Sequence, residues 1–349
     1  MPNKIKILYG VAGEGSGHSS RSIEVGRYLE RGGYTVKMIS YGRGYKNLKP
    51  YFDVKEIFGF TFVHENNEIK ILPTLIKNFL KSKEAAKSLK EVLEITNNFQ
   101  PDVIFSDFEP ITALAARAKK IPLISIGNQH RLTRMKIGFP MKYRRHANIA
   151  KSIVRMMILG ADAYLVTAFI KHKIIKRNTF AFPPILRKEI IDARSERGDY
   201  ILVYATFGFE KLIPILKNIN KKFIIYGFNK NEQNKNLIFK EHSQKNFIED
   251  LKNCRAVIGN AGFSLISEAL YLKKPYLALP IKGQFEQLLN AYTLKKTGCG
   301  KYHSRLSKKH IENFLSNLNI YEKNLQEYSR ENNEKIFKKI DELINELVK

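Results

Sequence analysis

Three places in this 349-residue chain bring together residue types that do chemistry: Gly13-Glu14-Gly15-Ser16-Gly17-His18, Ser106-Asp107-Phe108-Glu109, and Asn260-Ala261-Gly262-Phe263-Ser264 with Glu268. In the first, Gly15 and Gly17 let the backbone approach a ligand closely, and the helix start that follows favours anions. The alternating glycines, and the lack of an acidic residue closing the next apolar run (34–40), separate it from the dinucleotide-binding fingerprint. His18 at the helix start is a candidate general base, with Glu14 as its competitor; the plainer reading is a helix cap. Asp107 ends an apolar run, where it could orient a base, act as one, or cap the next helix.

In the third place the amides of Asn260, Ala261, Gly262, Phe263 and Ser264 open a helix and can hold a diphosphate without a metal. Glu268 lies one turn after Ser264 and shares its face, so its carboxylate can accept from both hydroxyls of a ribose while the phosphates sit at the helix tip. The following polar loop carries Glu286 and Gln287, groups suited to sugar hydroxyls. Thr206 and Gly208 form another turn that could touch phosphate. No Asp-x-Asp occurs, so no obligatory metal is expected.

These groups need rigid elements to hold them. Strand-like runs at 4–11, 34–40, 101–106 and 121–126 alternate with helical patterns, including a long one over 69–96. The alternation resumes at 200–204, 222–226, 256–259 and 275–279, which predicts two doubly wound parallel-sheet α/β domains facing across a cleft. The expected division is 1–183, 184–325 and a helix at 326–349, with Pro183-Pro184 as a stiff joint. Residues 128–140 read as a basic irregular loop, 141–159 as a helix and 229–236 as an Asn/Lys-rich loop.

The bulk numbers fit a soluble globular protein: 44% hydrophobic residues and no window of about 18 uncharged apolar residues. The first residues read as a strand rather than a secretory signal, so a cytoplasmic location is expected. Cys254 and Cys299 are isolated and read as reduced thiols, with no metal-ligand spacing. The net charge of +27, from 60 Lys+Arg against 33 Asp+Glu, favours an anionic partner unless it is only a lysine-rich composition.

The segments FIEDL (247–251), GNAGFSLISEAL (259–270) and LPIKGQFEQLLNA (279–291) resemble the donor-site half of GT-B glycosyltransferases. The pattern is similar to the peptidoglycan N-acetylglucosaminyltransferase family that makes lipid II. The glycine loop ending in His18 and the Ala205–Gly208 turn resemble that family too, and Asn128-Gln129 and residues 184–187 fall where related segments occur. The resemblance implies a GT-B fold with its C-terminal helix packed back on the N-terminal domain. It also implies a nucleotide diphosphate sugar, most often a UDP-sugar, as donor. Phe247 and Ile248 would then lie at the base, with Ile248 meeting it through its backbone. Gly262 and Ser264 would hold the diphosphate, Glu268 the ribose, and Glu286 and Gln287 the sugar. The family has two adjacent glutamines where this chain has Glu286-Gln287, which leaves the sugar open.

The reaction implied is inverting transfer to an acceptor hydroxyl. The basic stretch containing Arg131, Arg134, Lys136, Phe139, Met141, Arg144 and Arg145 mixes cations with apolar groups, which suits a lipid-linked or glycan acceptor and an anionic membrane surface, with the protein peripheral on the inner face of the cell membrane. A solvated loop beside a core helix is the alternative. Two other functions stay open: a nucleotide-sugar 2-epimerase of the same scaffold, and a basic nucleic-acid-binding protein, which the lack of any recognition module disfavours.

Overall fold

The computed structural model describes residues 4–59, 64–65, 68–69, 82–204 and 209–348. The described residues of Met1–Val63, Lys70–Ile185 and Asn332–Lys349 form one compact unit, and those of His64–Ile69 and Leu186–Glu331 a second. Residues 60–63, and residues 70–81 of the helical pattern at 69–96, lie outside the described residues; the rest of that pattern falls in a helix, Ser82–Phe99. Ala205–Gly208, with the proposed contacts Thr206 and Gly208, also lies outside them.

The first unit is built on seven strands: β1 (Lys6–Val11), β2 (Thr35–Ser40), β3 (Val54–Glu56), β4 (Val103–Asp107), β5 (Leu123–Ile126), β6 (Ala163–Thr167) and β7 (Thr179–Phe182). They lie in the order β7-β6-β5-β4-β1-β2-β3, all parallel. Runs such as KILYGV and VIFSD are buried on both faces, as a parallel sheet between helices requires. From β1 the chain winds one way through β2 and β3; β4 restarts on the other side of β1. The switch point is therefore the β1/β4 boundary, where α/β sheets bind ligands at the carboxyl ends of strands. The register pairs Val11 with Asp107, so the turn after β1 starts beside that carboxylate.

The second unit repeats the plan with β8 (Ile201–Tyr204), β9 (Phe223–Tyr226), β10 (Glu232–Asn234), β11 (Leu237–Lys240), β12 (Ala256–Asn260), β13 (Tyr276–Leu279) and β14 (Gly300–Tyr302). The order is β10-β11-β9-β8-β12-β13-β14, and β10 is an antiparallel edge. The switch point lies between β8 and β12, which places Asn260 at its carboxyl end. The 229–236 stretch, expected as loop, holds this edge strand. Its side chains are polar because one flank faces solvent.

Five helices matter below: α1 (Gly17–Arg31), α2 (Pro110–Lys119), α3 (Arg144–Met157), α4 (Gln244–Asn253) and α5 (Phe263–Tyr271). A sixth, α6 (Phe285–Lys296), follows β13, and a seventh, α7 (Glu334–Leu347), belongs to the first unit. Ile336, Ile340, Leu343 and Ile344 of α7, spaced at three and four residues, are buried in the first unit's core with Ile7, Tyr9, Leu29 and Val103. Tyr28 of α1 stacks on Phe337 at 4.3 Å, and the hydroxyls of Tyr28 and Tyr34 donate to Asp341. The C-terminal helix thus packs against the N-terminal sheet, as expected. Among the described residues no helix is long and apolar enough to cross a membrane.

Candidate active site

The turn after β1 needs two of its glycines for different reasons. A Cβ on Gly13 would lie 1.9 Å from the carbonyl oxygen of Tyr41, and Gly15 has φ +76°, where other residues are strained. Together they carry the backbone over the strand end and start α1 at Gly17, putting His18, Arg21 and Ser22 on one face at i, i+3 and i+4. That face meets Asp107. Its carboxylate is fully buried and accepts from Arg21 Nε at 2.5 Å, from Arg21 Nη2 and from Ser22 Oγ at 3.1 Å. His18 Nδ1 lies 2.6 Å from Asp107 Oδ1 and 3.0 Å from Arg21 Nη2. A bare ring nitrogen against a carboxylate oxygen at 2.6 Å would set lone pair against lone pair, so Nδ1 carries the proton and donates it to Asp107. The Arg21 approach is then a contact rather than a hydrogen bond. Nε2 is left as the acceptor, with Gln129 Nε2 at 3.5 Å.

Burial alone would push the Asp107 carboxyl up. The Arg21 guanidinium and His18 outweigh it and hold the group at about 2. Asp107 is therefore an anion that orients His18, and it does not cap α2. Glu109 does that, accepting from the amides of Ile111 at 3.0 Å and Thr112 at 2.7 Å. Phe108 between them has φ +57°, and its ring lies parallel to His18 at 6.2 Å. Arg21 also donates to Asn128 Oδ1 at 2.7 Å, fixing the segment after β5. A second histidine, His130, bonds Ser125 Oγ at 2.7 Å. Burial first, then Arg134, pushes its imidazole down to about 3, so it is neutral and structural. His18, with 14% of its side chain exposed, is the ring that reaches solvent. Glu14 is half-buried in the glycine turn.

In the second unit the turn after β12 is clamped from three sides. Tyr276 OH donates to the Asn260 carbonyl at 2.6 Å, Asn260 Nδ2 to Leu279 O at 3.1 Å, and Asn290 Nδ2 to Ala261 O at 3.0 Å. Gly262 caps α5 with φ −68° and no side chain to satisfy the first amides. Among the described residues, its two chain neighbours aside, no atom lies within 4 Å of where its Cβ would be, so neither its backbone angle nor their packing demands glycine there. Phe263 is buried and Ser264 half-buried in the first turn. Glu268 is buried and held by a fork from Arg187, Nε to Oε1 at 2.7 Å and Nη2 to Oε2 at 2.6 Å. Gln287 Oε1 accepts from the Ile281 amide at 3.0 Å, and Glu286 stands half-buried in the first turn of α6. Phe247 and Ile248 are buried in α4. Ile248 is the fifth residue of α4, so its N–H belongs to the helical ladder rather than to the helix's open first turn.

The basic stretch after β5 divides. Arg131 is 1% exposed and its Nε donates to Asn128 O at 2.8 Å. Arg134 lies over the Tyr164 ring at 3.5 Å and donates to Thr179 Oγ1 and Arg177 O. Both side chains are tied to the protein's own groups, Arg131 buried and Arg134 half-buried. Residues 131–134 form a helical turn where an irregular loop was expected, because burying Arg131 orders it. Lys136, Met141, Arg144 and Arg145 are exposed, and Phe139 is half-buried. Arg21, Ser22 and Asn290 were not singled out from sequence; the i, i+3, i+4 spacing from His18 was the available signal for the first two. Among the described residues no group of three or more His, Cys, Asp or Glu could hold a metal.

Residues 5–319 match the model of glycosyl transferase family 1. The chain belongs to that family and is a glycosyltransferase of GT-B type, with two parallel-sheet domains. It is 25% identical over 332 residues to an uncharacterized glycosyltransferase of Methanosarcina acetivorans, covering 85% of each chain. It is 23% identical, over 99% of this chain and 100% of the other, to the UDP-N-acetylglucosamine–N-acetylmuramyl-(pentapeptide) pyrophosphoryl-undecaprenol N-acetylglucosamine transferase of Clostridium botulinum. Among solved structures, the glycotransferase of kitacinnamycin superposes with a TM-score of 0.72 at 13% identity, covering 98% of this chain and 99% of that one.

Proposed function

We propose that this glycosyltransferase moves a hexose or N-acetylhexosamine from a nucleotide diphosphate sugar, with UDP as the nucleotide, to an acceptor hydroxyl with inversion and without an obligatory metal. The observation that carries the mechanism is the 2.6 Å pairing of His18 Nδ1 with Asp107. It fixes the tautomer whose Nε2 takes the acceptor hydroxyl's proton. The acceptor oxygen then bonds to the anomeric carbon as the bond from that carbon to the diphosphate breaks, and the diphosphate leaves with the electron pair. Asp107 stabilises the imidazolium that forms.

The donor is assigned to the second unit. The amides at the start of α5 hold the diphosphate, and the helix end stabilises the charge it gains on leaving. Arg187 occupies one side of Glu268, but two carboxylate oxygens offer about four acceptor sites, so ribose hydroxyls still have places to donate. Glu286 and Gln287 face the sugar. UDP rests on the resemblance of this half to the donor site of N-acetylglucosamine transferases, one of which is a relative over the whole chain. The name of that relative also favours a lipid-linked acceptor.

His18→Ala should lower kcat by about 10²–10⁴-fold while UDP-induced thermal stabilisation stays unchanged. Wild-type turnover in that variant would remove His18 as the base. Epimerisation of the UDP-sugar without acceptor would replace transfer with the isomerase reading.

A further inference from the structure

One side chain beside His18 has no part in the reaction as described. Gln129 lies in the segment after β5, 7% exposed, with its Nε2 3.5 Å from His18 Nε2. Because His18 Nδ1 donates to Asp107, His18 Nε2 offers a lone pair, and only the N–H end of the Gln129 amide suits it. At 3.5 Å the two nitrogens make at most a weak hydrogen bond. The same separation lets them share a third atom: an oxygen about 2.8 Å from each can sit beside the line joining them.

The chain around Gln129 sets the aim of this amide. The Gly127 N–H donates to Leu165 O at 3.0 Å, tying the segment to β6. Arg21 Nη1 donates to Asn128 Oδ1 at 2.7 Å, and Arg131 Nε to Asn128 O at 2.8 Å. The Leu132 amide donates to Gln129 O at 3.1 Å, and the helical turn Arg131–Arg134 packs on α3. The backbone is therefore held on both sides of Gln129. Its side chain folds back over Gly127: a Cβ there would lie 2.9 Å from Gln129 Oε1 and 3.5 Å from Arg21 Nη2. Gly127 does not have a positive φ, so the crossing side chain, and not the backbone angle, accounts for the glycine.

We infer that Gln129 positions the acceptor, holding its attacking hydroxyl between the Nε2 atoms of Gln129 and His18, and that the pair selects alcohols over amines. An alcohol oxygen carries one hydrogen and two lone pairs. The hydrogen goes to His18 Nε2, one lone pair accepts from Gln129 Nε2, and the other is left to attack the anomeric carbon. The amide thus fixes which lone pair attacks. An amine nitrogen has a single lone pair, so it must give up either the Gln129 bond or the attack. The inference rests on the proposed function, in which His18 is the base that faces the acceptor.

The test is side-chain ¹⁵N–¹H spectroscopy of the full chain, with and without UDP, titrated with phenol and separately with aniline, which match in shape and are both neutral at neutral pH. UDP-induced thermal stabilisation is read alongside. In wild type, phenol should shift the His18 Nε2 and Gln129 Nε2 signals along one binding curve, and bind at least about fivefold tighter than aniline. Gln129→Glu keeps the shape and loses the N–H donor. Gly127→Ala keeps the amide and displaces it. Each should weaken phenol at least about fivefold, reduce its advantage over aniline, and keep the UDP response. Shifts at one of the two side chains alone, at neither, or an unchanged preference for phenol in Gln129→Glu would overturn the inference. Coupled shifts in a chain with no UDP response would support the positioning while overturning the donor assignment.

Discussion

At the scale of single residues the site turns on Asp107, whose carboxyl sits at about 2 against an ordinary 3.8. A native value below the unfolded one means the folded state prefers the anion. The resulting stability is full above about pH 4 and is lost as pH falls towards 2. The difference is roughly 2 kcal/mol. Acid unfolding followed by circular dichroism should show that loss in wild type. Asp107→Asn, which has nothing to protonate, should fall less over the same window, although less stable at pH 7. Identical acid limbs would mean Asp107 does not hold this charge. Asp107 was visible in the sequence because it ends an apolar run. Arg21 was not: a cation on an amphipathic helix reads as solvent face until β1 and β4 are known to be neighbours, and its bond to Asp107 spans 86 residues of chain.

At the scale of elements, the donor turn was the most legible part. Strand, glycine turn and helix succeed one another within residues 256–271, so local pattern sufficed. What holds the turn was not legible, since Asn290 reaches Ala261 from a helix 29 residues on. The two features predict different outcomes. Gly262→Ala adds a methyl where no atom of the described residues stands, so its nucleotide-free stability should stay within about 1 kcal/mol of wild type while UDP affinity drops about tenfold. Asn290→Ala leaves a buried carbonyl without its donor, so it should lose about 1–3 kcal/mol of stability together with nucleotide affinity. Thermal melts with and without UDP separate them. A full nucleotide response in Gly262→Ala would mean the open space serves no ligand. The 131–134 segment misread as irregular shows the reverse case: four residues rich in Arg carry no helical pattern, and their order comes from burial of Arg131.

At the scale of the whole molecule, the parallel, doubly wound plan of both units was legible from strand–helix alternation, because parallel strands force crossovers, whereas the strand order was not. The place of α7 came only from family resemblance; no local pattern says which core a terminal amphipathic helix joins. Its four buried apolar side chains contribute roughly 6–12 kcal/mol, comparable to the net stability of a domain. A chain stopped after Glu331 should therefore leave the first unit unfolded while the second still melts cooperatively and responds to UDP. Two intact transitions in that truncation would contradict the packing described.

Because α7 closes the first core, the order of synthesis and the order of completion differ. A nascent chain that has emerged as far as Glu331 presents every strand of the second sheet, yet the first sheet still lacks the helix that covers Ile7 and Leu29. Domains translated first ordinarily fold first. Here the donor-side unit can finish on the ribosome, whereas the unit bearing His18 waits for residues 334–347, with its apolar sheet open to chaperones in the interval.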